Sequence, residues 1–185
     1  MGEALAGCGC FLIRADVLGH EVLAPGGAAY APVIREFGNQ ILGPDGQIDR
    51  RLLASRVFGN PEALARLNAL VHPPVVRREE QLIEEFAARE PHGIAVVEGA
   101  ILIETGSYKR FDRLILVTCP EDLQIARAMH RDEASEAEIR ARIAVQMPLA
   151  EKRKFAHFVI DTSGPKEETL RQTRAVYDEL RRIKE

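Results

Sequence analysis

The sequence predicts an α/β domain built on a parallel sheet, and three observations carry that expectation. Four apolar runs, at residues 11–13, 94–97, 114–118 and 158–160, are continuous rather than alternating, as in strands buried on both faces. Longer segments with apolar residues at helical spacing separate the runs, the alternation of an α/β chain. At 185 residues, with 46% hydrophobic and 29% charged side chains, the chain can enclose a core of its own, so residues 1–185 are expected to form one domain.

After the first run, Val17, Leu18 and Val22 recur at helical spacing, and Tyr30, Val33, Ile34 and Phe37 repeat the pattern before Gly38 as a stop. Pro44-Asp45-Gly46 is a turn, with Pro setting φ and Gly tolerating positive φ. Asn60-Pro61-Glu62 supplies a cap, a first-turn proline and a favourable acid for a helix bearing Leu64, Leu67 and Val71. The tandem prolines of His72-Pro73-Pro74 predict its end, with a new helix along Val76, Leu82, Ile83 and Phe86. This helical insertion, about residues 24–90, has the character of a substrate lobe.

Beyond the third run, Pro120-Glu121-Asp122 opens a helix through Leu123, Ala126 and Met129, broken by a turn at residues 131–134. Ser135-x-x-Glu138 is a capping box that restarts the chain along Ile139, Ile143 and Met147, giving an arginine-rich helical hairpin at about 121–150 that suits a lid. Ser163-Gly164-Pro165 opens a terminal helix with a seam of Leu170, Val176, Leu180 and Ile183.

A net charge of −3 offers no basic excess for nucleic acid or an anionic membrane, and no apolar run approaches the roughly 18 residues of a membrane span. Cys8, Cys10 and Cys119 are too few and too odd in number for a disulfide framework. Cys8-Gly9-Cys10 has no second Cys/His pair at finger-like spacing, so no protein metal site is expected. The chain reads as cytosolic.

Several side chains stand where chemistry is done in parallel α/β sheets, at the carboxyl ends of strands. Asp16, just past the first run, is either a helix N-cap or a carboxylate that orients and deprotonates an attacking hydroxyl. Glu98, after the second run, either holds Mg²⁺ through water, contacts substrate, or is a solvated loop acid. His72 is either a hydrogen-bond partner for a polar substrate or a histidine suited to a helix C-terminus. Arg127 and Arg131 share a helix face, with Arg140, Arg142, Lys152, Arg153 and Lys154 following. Such a set either neutralises transferred phosphate or is a solvated helical face. No Gly-x-x-x-x-Gly-Lys-Ser/Thr segment occurs among the 185 residues.

Together these segments resemble dephospho-coenzyme A kinases over nearly the whole chain. The resemblance is carried by Ile13-Arg14-Ala15-Asp16, His20-Glu21-Val22, Pro25-Gly26, Phe37-Gly38, Pro44-Asp45-Gly46, Asp49-Arg50, Leu53 and Val57-Phe58. It continues through Leu67-Asn68-Ala69-Leu70-Val71-His72-Pro73, Val96-Val97-Glu98, Leu102-Ile103-Glu104 and Met129-His130-Arg131-Asp132. Gln146, Lys152-Arg153 and Val159-Ile160-Asp161-Thr162-Ser163-Gly164 complete it. It implies a P-loop kinase-like three-layer parallel sheet with a helical substrate lobe and a helical lid. It also implies transfer of the γ-phosphoryl of ATP, with Mg²⁺, to the ribose 3′-hydroxyl of dephospho-CoA. Asp16 would be the catalytic carboxylate, Arg131 would be the lid arginine at the ATP phosphates, and His72 with Pro73 would meet dephospho-CoA. Arg127, on the helix face of Arg131, is expected at the same phosphates, and Glu98 and Leu102 on the substrate side.

Two departures from the family pattern bear on this. Arg14 replaces the usual acid two residues before Asp16, and strand alternation would put the two on one face. The P-loop and the first central strand of the sheet are missing, which predicts two strand edges without partners, at a cost of about 1 kcal/mol per unpaired group. A non-catalytic coenzyme A-binding remnant or an interaction domain is the alternative reading.

Overall fold

The computed structural model describes residues 1–57 and 59–183; Phe58, from the Val57-Phe58 segment, lies outside the described residues. In chain order the elements are α1 (Gly2–Gly7), β1 (Phe11–Arg14), α2 (Ala15–Leu23), α3 (Tyr30–Phe37), α4 (Arg50–Val57) and α5 (Pro61–Arg89). They continue with β2 (Ala95–Glu98), β3 (Ile115–Thr118), α6 (Glu121–Asp132), α7 (Glu136–Ala144), α8 (Leu149–Lys152), β4 (Phe158–Asp161) and α9 (Lys166–Ile183). The chain folds into two compact units, Phe11–Glu98 and a second made of Met1–Cys10 with Gly99–Glu185.

In the unit Phe11–Glu98, β1 and β2 pair in parallel from Phe11 opposite Ala95 to Arg14 opposite Glu98. A two-stranded ladder is marginal alone and needs a helix against it; α2 and α5 supply that cover, and Phe86 of α5 stacks on Phe11 with ring centroids 4.8 Å apart. Val22, Ala29, Val33, Phe37, Ile41, Ile48, Leu53 and Ala63 form the helical core. Val17 is 47% exposed, so only Leu18 and Val22 of the first helical pattern face inward. The turn at Gly46 is as expected: its φ is +76° and its N–H bonds the Gly43 carbonyl at 3.0 Å, while the Tyr30 hydroxyl donates to the Gly46 carbonyl. Gly27 is required by a close approach, since a Cβ there would lie 2.5 Å from the carbonyl oxygens of Glu21 and Val22.

The expected break at His72-Pro73-Pro74 does not occur. Helix α5 opens on Asn60, whose side chain accepts the Ala63 N–H, and then runs unbroken for 29 residues with both prolines inside it. The local rule loses to packing: Leu67, Leu70, Val71 and Val75 continue one apolar stripe across the prolines and seat it on the core. Proline lacks the N–H that would bond four residues back, so the carbonyls of Ala69 and Leu70 have no i+4 amide donor.

In the other unit, β3 and β4 pair in parallel from Ile115 opposite Phe158 to Thr118 opposite Asp161. Helix α9 packs on β4 and α1 on α9, an N-terminal helix the sequence pattern did not signal. Ile160 and Leu5 are fully buried. The α9 face that turns inward is Thr173 and Val176, while Leu170 and Ile183 of the expected seam are 43% and 49% exposed. Helices α6 and α7 form the expected hairpin, joined through Glu133 at φ 52° and started by the Ser135–Glu138 capping box. Arg131 belongs to α6 rather than to the turn, and Met147 lies beyond the end of α7, which stops at Ala144. Among the described residues, β2 pairs with β1 alone and β3 with β4 alone, so both outer edges of each ladder are without a strand partner. No helix among the described residues is long and apolar enough to cross a membrane.

Candidate functional site

The carboxyl end of the β1–β2 ladder gathers the first group of candidates. Arg14 and Glu98 stand opposite each other as the last pair of the ladder, so Glu98 is a strand residue rather than a loop acid, and it is exposed. The strand stops at Arg14, which holds the N-cap position of α2 in extended geometry (φ −103°, ψ 109°). Asp16 therefore sits on the first turn of a helix, and strand alternation does not put it on the face of Arg14. The N-cap reading of Asp16 also falls, because Arg14 occupies that position and no side chain caps α2. Asp16 is exposed, with the favourable field of a helix N-terminus around it.

His72 lies in the middle of α5, not at a helix end, so the C-terminal dipole does not account for it. It is half-buried, and desolvation lowers its pKa below 6.5, favouring the neutral imidazole, which both donates and accepts. Pro73 beside it is exposed. His72 thus stands on α5 beside two prolines that leave the Ala69 and Leu70 carbonyls without their i+4 amide donors. Among the described residues no hydrogen bond or ion pair joins His72 to Asp16.

The second unit holds the cationic candidates, and both arginines are engaged. Arg127 of α6 reaches the end of β4, donating from Nη1 to Thr162 Oγ1 at 3.2 Å and from Nη2 to the Thr162 carbonyl at 2.8 Å. Thr162 Oγ1 in turn donates to the Thr118 carbonyl at 3.0 Å, so Arg127 is anchored at the carboxyl end of the β3–β4 ladder. Arg131 grips its neighbour Asp132 bidentately, at 2.6 and 3.0 Å, and Arg142 of α7 reaches the same carboxylate at 2.8 Å. The Arg131 hydrogen bonds first, and then the charges of Arg131 and Arg142, hold the Asp132 carboxyl below the usual range. Arg140 likewise bridges Glu136 at 2.8 Å and Glu121 at 3.1 Å.

Leu102 is half-buried, and its carbonyl closes a turn by accepting the Tyr108 N–H at 3.0 Å. Lys152 of α8 reaches the same segment, a role the sequence did not signal. Lys152 is 9% exposed, and its Nζ meets Glu104 Oε1 at 2.9 Å, the Ala100 carbonyl at 3.1 Å and Gln146 Oε1 at 3.2 Å. Glu104 Oε1 also accepts the Met147 N–H at 2.9 Å. Burial alone would raise the Glu104 pKa, but the bonds from Lys152 and the Met147 amide bring it below 4.5. Among the described residues, no three His, Cys, Asp or Glu side chains gather as a cage for a metal ion.

A parallel α/β scaffold with an exposed carboxylate at a strand end and an arginine-rich helical hairpin is the equipment of a phosphotransferase. Comparison with known proteins makes this specific. The family model for dephospho-CoA kinase matches residues 1–168. The dephospho-CoA kinase of Aromatoleum aromaticum is 40% identical over 163 residues, covering 88% of this chain and 78% of that protein. The Geobacter metallireducens enzyme of the same name is 39% identical over 171 residues, covering 92% and 85%. Among solved structures, a Thermus thermophilus protein superposes with a TM-score of 0.79 at 33% identity over 96% of this chain and 88% of that one. The dephospho-CoA kinase of Campylobacter jejuni superposes with a TM-score of 0.67 at 26% identity over 99% and 90%. The chain belongs to the dephospho-CoA kinase family, which catalyses the last step of coenzyme A biosynthesis. Members phosphorylate dephospho-CoA at the expense of ATP, and the P-loop kinase fold of the family is the fold of this chain.

Proposed function

We propose that Asp16 is the catalytic carboxylate of this chain. The ribose 3′-hydroxyl of dephospho-CoA gives its proton to Asp16 as its oxygen bonds the γ-phosphorus of MgATP, and the bond from that phosphorus to the ADP oxygen breaks. The supporting observation is the placement of Asp16: an exposed carboxylate at a strand end, in the first turn of α2, with no capping role to explain it. His72 and Pro73 on α5, Glu98 at the end of β2, and Leu102 are assigned to dephospho-CoA, whose polar groups suit a neutral imidazole and open helix carbonyls.

Arg131 and Arg127, which share a face of α6, are assigned to the nucleotide phosphates, whose oxygens suit the guanidinium fork. Mg²⁺ enters with ATP as part of the substrate, needing one or two carboxylates, phosphate oxygens and water rather than a cage of protein ligands. Within a single domain of residues 1–185, about 24–90 serve as the acceptor lobe and about 121–150 as the lid. Three free thiols fit a reducing cytosol.

The test is transfer of labelled γ-phosphate to dephospho-CoA with MgATP, paired with calorimetric binding of dephospho-CoA. Asp16→Asn should lower kcat by about 10²–10⁴-fold, the contribution of a general base, while leaving dephospho-CoA affinity nearly unchanged. An Asn variant that turns over like the parent protein would remove Asp16 from the chemistry.

A further inference from the structure

The geometry points to Lys152 as a positioning residue for the acceptor substrate, acting through the segment 99–105 that carries Leu102. This rests on the reading of Leu102 as an acceptor-binding residue. An ammonium group has three N–H donors, and Lys152 directs them at three acceptors: Glu104 Oε1, the Ala100 carbonyl and Gln146 Oε1. Two of those acceptors, Ala100 and Glu104, bracket Leu102 in the chain. The third, Gln146, lies just beyond α7, and Glu104 binds the next backbone amide, Met147. One buried cation therefore ties the turn around Leu102 to the C-terminal root of the α6–α7 hairpin.

Stability alone is a poor reason for such a group. Lys152 gives up hydration to reach Glu104, whose side chain keeps 20% exposure, and well-packed apolar replacements of such pairs are often as stable or more so. Lys154, two residues on, makes its ion pair with Glu151 at the surface. What the buried Lys152 supplies is direction. It satisfies a carbonyl in an irregular segment that has no helix or strand to satisfy it, and orients the carboxylate that does the same for the Met147 amide. Segment 99–105 and residues 146–147 thus hold one conformation relative to each other, which fixes where Leu102 is presented.

The experiment compares the parent protein with Lys152→Met and with the double variant Lys152→Met/Glu104→Met, by calorimetric titration with dephospho-CoA and by thermal unfolding. The single variant is expected to weaken dephospho-CoA binding about tenfold at unchanged stoichiometry, and to lower the Tm because it strands the carboxylate of Glu104. The double variant removes that stranded charge. It should regain most of the Tm yet keep the weakened affinity, because neither methionine can hold the Ala100 carbonyl or the Met147 amide. A double variant that recovers both Tm and affinity would show a purely structural pair and overturn the positioning role. So would a single variant that loses only its binding-competent fraction. If the parent protein itself fails to bind dephospho-CoA, the acceptor assignment of Leu102 falls and takes the positioning role with it. Parent-like binding by both variants removes the positioning role alone.

Discussion

Replacing Pro73 by alanine should stabilise the protein and impair it at once. Pro73 lies well inside α5, twelve positions after its start at Pro61, where proline is worth about 3 kcal/mol less than alanine. The substitution restores an N–H facing the Ala69 carbonyl and removes the ring that crowds it. Two effects reduce the gain. Proline also stiffens the unfolded chain, which is worth about 0.4–1 kcal/mol to the native state, and Pro74 remains to interrupt the next bond. The net stabilisation is then about 1–2 kcal/mol, a rise in Tm of roughly 2–8 °C for a chain of this size. Because Pro73 is exposed, no packed cavity opens to offset it. Thermal unfolding followed by far-ultraviolet circular dichroism measures the first half, and the KM for dephospho-CoA measures the second. With the Ala69 carbonyl closed off beside His72, KM should rise while kcat changes little. A variant that unfolds earlier than the parent would show that the prolines shape α5 to fit its core rather than burden it. A higher Tm with an unaltered KM would free this turn of α5 from acceptor binding.

Two further outcomes concern stability. The lowered pKa of His72 means that the unfolded chain takes up a proton near pH 6.5 that the native state takes up only at lower pH. The unfolded state thus binds more protons, so stability is greatest above about pH 6.5 and declines as pH falls through the folded-state value. His72→Gln should flatten that decline in Tm measured from pH 8 down to about pH 5; an unchanged slope would assign it to other groups. Ile160→Ala, at a fully buried position on β4, should cost about 2–5 kcal/mol, read as a lower urea midpoint at constant m-value. A loss well below that range would mean that the ladder repacks around the gap.

The strands were legible to within a residue, because parallel strands with both faces covered are written as short runs of Val, Ile and Leu. The caps were legible too: Asn60 and the Ser135–Glu138 box are local hydrogen bonds spelled in adjacent residues. The path of α5 was not. The prolines are a local signal for an end, whereas the spacing of Leu67, Leu70, Val71 and Val75 is a signal for continuity that only the core against it makes decisive. The candidate site divides along the same line. Asp16, His72 and the arginines could be picked out one by one, but their surroundings rest on contacts between distant residues. Lys152 meets the Ala100 carbonyl from 52 positions away, and Glu104 meets the Met147 amide from 43. Both were already visible as letters in the segments that carry the family resemblance. Nothing in those letters says that one cation satisfies three acceptors.

The engaged state of the arginines changes what phosphate binding means for this chain. Neither Arg127 nor Arg131 waits as a bare cation, since Thr162 holds the first and Asp132 grips the second. In the proposed role, a nucleotide therefore gains their charge by exchange, and only the difference between the new contacts and the old ones contributes to affinity. The two exchanges are unequal. Arg127 leaves neutral acceptors, and Thr162 Oγ1 keeps its bond to the Thr118 carbonyl, so no charge is stranded. Arg131 leaves a carboxylate, but an exposed one that water solvates readily and that Arg142 continues to hold. Asp132 thus keeps the fork of Arg131 ordered without binding it strongly enough to resist a phosphate of higher charge. Because Arg142 stays on Asp132, the link between α6 and α7 survives the exchange, and the hairpin can meet the nucleotide as one ordered piece.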